Sequence, residues 1–117
     1  MATIQRIDAG PRMSDAVLHN GVAYLAGQVA TGGAMDIGGQ TREVLAAIDA
    51  LLAKAGTDKS RVLRAQIFLA DMADFPGMNA VWDQWVAPGH TPARATVQAA
   101  LAKPQWKVEI VITAALP

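Results

Sequence analysis

The sequence predicts an α+β, two-layer domain: a mostly antiparallel sheet of about six strands with two helices on one face. Three observations predict it. Short runs alternate apolar and polar residues near both ends of the chain, as half-buried strands do. An Asn20-Gly21 dipeptide joins two of these runs. Two longer stretches carry apolar residues at spacings of three and four, the period of an amphipathic helix. A length of 117 residues with 52% hydrophobic content makes one domain, 1–117, with one ordinary core.

Taken in order, Thr3–Asp8 is a short β-prone run with Ile4 and Ile7 as its apolar members, and Ala9-Gly10-Pro11 breaks it. Arg12–Asp15 has no periodicity and reads as a loop. Ala16–His19 and Val22–Ala26 flank Asn20-Gly21. A type I′ hairpin turn needs φ > 0 at both central residues, and Asn-Gly meets that need. The glycines from Gly27 to Gly33 permit a bulge or a close backbone approach. Asp36–Gly39 is a loop or a helix entry. Gln40–Ala55 is helical, striped by Val44, Leu45, Ile48, Leu51 and Leu52, with Gly56 at the C′ position. Arg61–Ala70 is a strand with Leu63, Ala65, Ile67 and Leu69 on one face. Asp71 or Asp74 caps a second helix striped by Phe75, Met78, Trp82 and Trp85, and Pro88-Gly89 ends it. Strands over Ala93–Ala99 and Trp106–Ala114 complete the chain.

Bulk properties narrow the function classes. Formal net charge is zero, and Lys and Arg are scattered, so neither nucleic acid nor an anionic membrane is an expected partner. There is no cysteine, which removes thiol chemistry. The N-terminus shows no signal-peptide pattern, and no apolar run approaches the ~18 residues needed to span a bilayer, so a cytoplasmic protein is the simplest expectation. His19 and His90 lack metal-ligand spacing. The glycine pairs fit neither a Walker loop nor a dinucleotide fingerprint. No metal and no cofactor is expected.

The last two strands carry the informative polar residues. By alternation, Arg94, Thr96 and Gln98 share one face, and Glu109 lies mid-strand opposite the apolar Val108, Ile110 and Ile112. Arg94 and Glu109 are predicted on adjacent strands, on the sheet face away from the helices. Burying either charge alone is costly, so each needs a partner. One reading is a cross-strand ion pair. The other is a binding site in which Arg94 grips a carboxylate and Glu109 handles a proton or a water. The mixed character of that face predicts contact with another subunit.

The runs PARATVQ and KVEIVITA, with Tyr24-Leu25-Ala26-Gly27-Gln28, Phe68-Leu69-Ala70-Asp71 and Met78-Asn79-Ala80, resemble the Rid or YjgF-like family, closest to its YoaB-like branch. The resemblance covers nearly the whole chain. It implies a chorismate-mutase-like fold, a homotrimer with a central barrel, and ligand clefts between neighbouring subunits. It also implies cofactor-independent hydrolysis of 2-imino or 2-enamino acids to 2-oxo acids and ammonia. Arg94 matches the family's carboxylate-binding arginine and Glu109 the acidic residue near the attacking water. Gly27, Gln28, Val29, Thr96, Arg12 and Asn79 complete the expected binding set. Arg12 follows Gly10-Pro11 where the family's deaminases commonly have Tyr, and Thr96 stands where Cys is frequent. A non-catalytic trimer that binds small carboxylates is the alternative function.

Overall fold

The Asn20-Gly21 turn is formed as its chemistry demands: φ is 51° at Asn20 and 75° at Gly21, and β2 (Ala16–His19) pairs antiparallel with β3 (Val22–Leu25) across it. The structure, a computed structural model, describes residues 3–117. Around the hairpin stand β1 (Gln5–Ile7), β4 (Gln28–Val29), α1 (Ile37–Ala55), β5 (Val62–Leu69), α2 (Phe75–Trp85), β6 (Ala93–Gln98) and β7 (Val108–Ala115). The sheet runs β1-β2-β3-β7-β5-β6, with β4 also beside β7. It has seven strands rather than six, because the two residues of β4 pair where the sequence shows only a glycine-flanked connection. All pairs are antiparallel except β5–β6, which α2 joins as a parallel crossover.

The core lies between one sheet face and both helices. Ala65, Ile67 and Leu69 of β5 sit opposite Ile112, Ile110 and Val108 of β7, and all six are buried. Val44, Leu45, Ile48 and Leu52 of α1, with Met78, Val81 and Trp82 of α2, pack into the same cluster. Buried aliphatic side chains of this size contribute about 1.5–3 kcal/mol each, so this layer is the principal source of stability.

Two boundaries and one side-chain direction differ from expectation for local reasons. Helix α1 begins at Ile37, because Asp36 accepts from the Gly39 amide (3.3 Å) and so caps a first turn that includes two glycines. Leu63 is 50% exposed rather than core, because the β5–β7 pairing carries a bulge between Val62 and Arg64 and Val62 is buried instead. Strand β7 begins at Val108, so Trp106 belongs to the connection from β6, where Lys103 lies over its ring (5.1 Å). At the far edge, Lys54 of α1 donates to Asp8 (2.9 Å), and this hydrogen bond holds the Asp8 carboxyl below its ordinary range.

Buried Gln40 ties the connections to α1. Its amide donates to the carbonyls of Ala34 (3.1 Å) and Gln105 (2.8 Å) and accepts from the Lys107 amide (2.8 Å). Glu43, one turn on, accepts from the Gly32 (2.9 Å) and Ala34 (3.0 Å) amides. The segment after β4 and the entry to β7 are thereby fixed to one helix.

Candidate functional site

The expected polar residues fall into two groups on opposite faces of the sheet. This corrects the prediction that Arg94 and Glu109 occupy adjacent strands on one face. Strand β5 lies between β6 and β7: Arg94 is opposite Ala65, whereas Glu109 is opposite Phe68. Ala65 faces the core and Phe68 faces away from it, so period-two alternation sends Arg94 to the helix side and Glu109 to the open side. The sequence could not give this, because the parallel crossover inserts β5 between two strands that are consecutive in the chain. The cross-strand ion pair is excluded as well. The one ion pair among the described residues is Lys54–Asp8.

The first group stands at the junction of β6 and α2. The Arg94 guanidinium carbon lies 5.3 Å from the Trp82 ring centroid and 5.8 Å from that of Phe75. Both rings present a negative π face to the cation, which holds it half-buried without neutralising it. Thr96 follows two residues along the same strand face. Asn79 lies on α2 four residues after Phe75 and three before Trp82, hence on the same stripe of the helix. Thr96 Oγ1 and Asn79 Oδ1 are both buried and without a hydrogen-bond partner. Buried polar atoms are nearly always paired, and leaving one unpaired costs about 1–3 kcal/mol. Two such atoms, one on the strand face of Arg94 and one on the helix stripe of its two rings, make this junction a candidate polar site. Phe75 and Trp82 were legible in the sequence only as a helix stripe; their spacing around Asn79 was the available signal.

The second group surrounds Glu109 on the open face. Val29 of β4 is its cross-strand neighbour. From Tyr24 to Gln28 the chain advances four residues, while the β7 partners advance only three, from Thr113 to Ile110. The extra residue is a bulge, and it brings the Gly27 backbone under the Glu109 side chain. A Cβ on Gly27 would lie 2.2 Å from Glu109 Oε2, so only glycine leaves room for the carboxylate. A pocket of about 220 Å³ opens beside Glu109, lined by Phe68, Ala99, Ala100, Leu101 and Ala102.

The remaining expected residues join neither group. Gln28 turns to the helix side, where its amide donates to the Ala26 carbonyl (2.9 Å) and lines a hollow with Asp15 and Lys54. Arg12 is exposed on the loop between β1 and β2. A larger hollow of about 290 Å³ lies between α1 and α2, but there the Trp85 indole donates to Asp49 (3.0 and 3.1 Å) and Lys59 donates to the Trp85 carbonyl (2.6 Å), so these groups satisfy one another. Among the described residues no cluster of three or more His, Cys, Asp or Glu could hold a metal, and no helix is long and apolar enough to cross a membrane.

Comparison with known proteins agrees with this architecture. A family model described as Endoribonuclease L-PSP matches residues 3–116. The chain is 55% identical to a RutC family protein of Haemophilus ducreyi, over 97% of each chain. It is 53% identical to the RutC family protein YoaB of Escherichia coli, over 97% of this chain and 99% of that one. Among solved structures, NMB1025 of Neisseria meningitidis, a member of the YjgF protein family, superimposes with a TM-score of 0.96 at 50% identity, over 98% of this chain and 96% of the other. The chain therefore belongs to the YjgF/RutC family, also called Rid, and resembles its YoaB members over its full length.

Proposed function

We propose that the protein is a cofactor-independent hydrolase of 2-imino and 2-enamino acids, releasing 2-oxo acids and ammonia. The observation that carries this reading is Arg94: a guanidinium that lies against two aromatic rings and has no ion-pair partner among the described residues. Such a group suits a planar carboxylate, which it can grip through two parallel hydrogen bonds. Thr96 and Asn79 supply one hydroxyl and one amide oxygen for the substrate's remaining polar atoms.

Glu109 supplies the acid–base chemistry. It takes a proton from a water whose oxygen adds to C2 of the imine. Glu109 passes that proton to the imine nitrogen, giving the carbinolamine; it then takes the carbinolamine's hydroxyl proton and delivers it to nitrogen, so the C–N bond breaks, ammonia leaves and the C2 carbonyl forms. Imines already hydrolyse in water, so positioning and a placed charge suffice.

Arg94 and Glu109 face opposite sides of one sheet, two strands apart. A substrate that needs both takes them from two copies of the chain. The open face, which carries exposed Tyr24 and Val97 as well as Glu109, supplies a surface for that association. In the homotrimer proposed here, each Arg94 meets a neighbour's Glu109. The family model's description names an endoribonuclease, but a zero formal net charge gives no general attraction for a polyanion, and RNA is not the substrate proposed.

The test is release of ammonia and 2-oxo acid from freshly generated 2-imino acids by wild type and Arg94→Ala. Loss of the clamp is expected to lower kcat/KM by about a hundredfold or more; an unchanged value removes Arg94 from the site. A second reading has its own support, since the two parallel donors of Arg94 suit a carboxylate without Glu109. Calorimetric binding of 2-oxobutyrate without accelerated imine decay identifies a carboxylate-binding protein rather than an enzyme.

A further inference from the structure

Arg94 stands on β6, the edge strand of the sheet, with a neighbouring strand on one side only. A long arginine side chain at such an edge would spread over many rotamers if nothing held it. Among the described residues no ion pair restrains it. Two rings do: the guanidinium carbon lies over Trp82 and Phe75, at 5.3 and 5.8 Å from their centroids. The kind of neighbour matters. A carboxylate would engage the N–H donors themselves. A ring face attracts the charge and the flat surface of the cation, and leaves the donors at its edge for another group.

The rings are themselves held. They lie seven residues apart on α2, on one stripe of the helix. Trp82 is 5% exposed, and its ring meets that of Trp85 with 5.2 Å between centroids. Trp85 is anchored in turn by its bonds to Asp49 and Lys59. At the other end of the helix, three residues before Phe75, the Met72 amide donates to Gln98 Oε1 (2.9 Å). Gln98 shares a face of β6 with Arg94. The strand that carries the cation thus fixes the entry of the helix that carries the rings.

We propose that Trp82 and Phe75 are positioning residues for Arg94: they fix the plane of its guanidinium, so that two parallel donors are already set when a carboxylate arrives. Holding the cation beforehand removes the ordering of a flexible side chain from the cost of binding. The inference rests on the reading of Arg94 as a carboxylate clamp, which the hydrolase and the binding protein share, and adds the residues that set its direction.

The experiment measures 2-oxobutyrate binding by calorimetry, and kcat and KM for the imine generated in situ from 2-aminobutyrate by an amino acid oxidase. Phe75→Leu and Trp82→Leu keep an apolar side chain and remove the π face. Each is expected to weaken binding and raise KM about fivefold, the worth of one cation–π contact, with kcat changed by less than about twofold. Phe75→Tyr and Trp82→Phe keep a ring and are expected to restore both values. In an Arg94→Ala background neither leucine substitution should weaken binding further. Trp82 is buried, so Trp82→Leu also lowers the unfolding midpoint. Phe75 is only partly buried, and Phe75→Leu decides the matter if Trp82→Leu does not fold. Folded leucine variants that bind like wild type, or losses that the ring-bearing variants fail to restore, overturn the positioning role and leave Arg94 as the clamp. If Arg94→Ala binds 2-oxobutyrate as tightly as wild type, or wild type neither binds it nor hydrolyses the imine, the clamp and its positioning fall together.

Discussion

A methyl group at Gly27 would lie 2.2 Å from Glu109 Oε2, 3.0 Å from its Cδ and 3.2 Å from its Cγ, so its three nearest neighbours all belong to one side chain. Gly27 has no positive φ, so alanine is not strained by its backbone there. What gives way is the end of the glutamate side chain, which is free to swing into the adjoining pocket. Gly27→Ala should therefore displace the carboxylate while leaving the fold within about 1 kcal/mol of wild type. A displacement near 1 Å at a catalytic group costs on the order of a hundredfold, and kcat/KM should fall by that order. Thermal unfolding and imine hydrolysis measured on the same preparations check both halves. The double variant Gly27→Ala, Glu109→Ala should lose no more than Glu109→Ala alone, since the glycine acts through the carboxylate. At this scale the sequence was informative about identity and silent about direction. Arg94 and Glu109 stood out because charges are costly mid-strand among apolar neighbours. Which way each points depends on its partner strand, and no local pattern names that partner.

At the scale of elements, Gln40 shows how a helix controls a connection far away in the chain. It is 2% exposed, and its amide makes three bonds that reach Ala34, Gln105 and Lys107. In the sequence it reads as the polar first residue of a helix stripe, because nothing local reveals partners 65 and 67 positions away. Gln40→Leu preserves volume but leaves two carbonyls and one amide without their partner. At about 1–3 kcal/mol for each unsatisfied group, reduced where water reaches, a loss of about 2–4 kcal/mol is expected in urea unfolding. Gln40→Glu retains the acceptor and loses both donations, and it should also destabilise. The elements themselves were well marked: the Asn-Gly hairpin, both amphipathic helices, the Gly56 cap and four of the longer strands all follow local rules. The errors cluster where pairing overrides alternation. The bulge at Val62–Arg64 turns Leu63 outward, the bulge near Gly27 creates β4, and the parallel crossover separates β6 from β7. Each is decided by a neighbour distant in sequence.

At the scale of the whole molecule, the decisive fact is that one sheet separates Arg94 from Glu109. With strands about 4.8 Å apart and residues about 3.3 Å along each, the two positions are two strands and three residues apart before the thickness of the sheet is counted. A small imino acid cannot bridge that gap within one chain. If catalysis needs both side chains, Arg94→Ala and Glu109→Ala must complement one another when mixed. Each variant alone has no intact site. In a closed oligomer whose sites each take the arginine from one copy and the glutamate from the next, random mixing in equal amounts gives an intact pair at about one quarter of the sites. Coexpression, or joint unfolding and refolding, should therefore restore about a quarter of the wild-type rate, with KM unchanged because each restored site is complete. Sedimentation should show one oligomer size for wild type and mixture alike. Introducing a charge into the open face, as in Val111→Glu, should dissociate the oligomer and abolish activity even though Val111 carries no chemistry. Activity that stays absent in a mixture shown to exchange subunits would place both residues' roles within one chain, and the opposed faces of the sheet would then exclude a substrate that touches both.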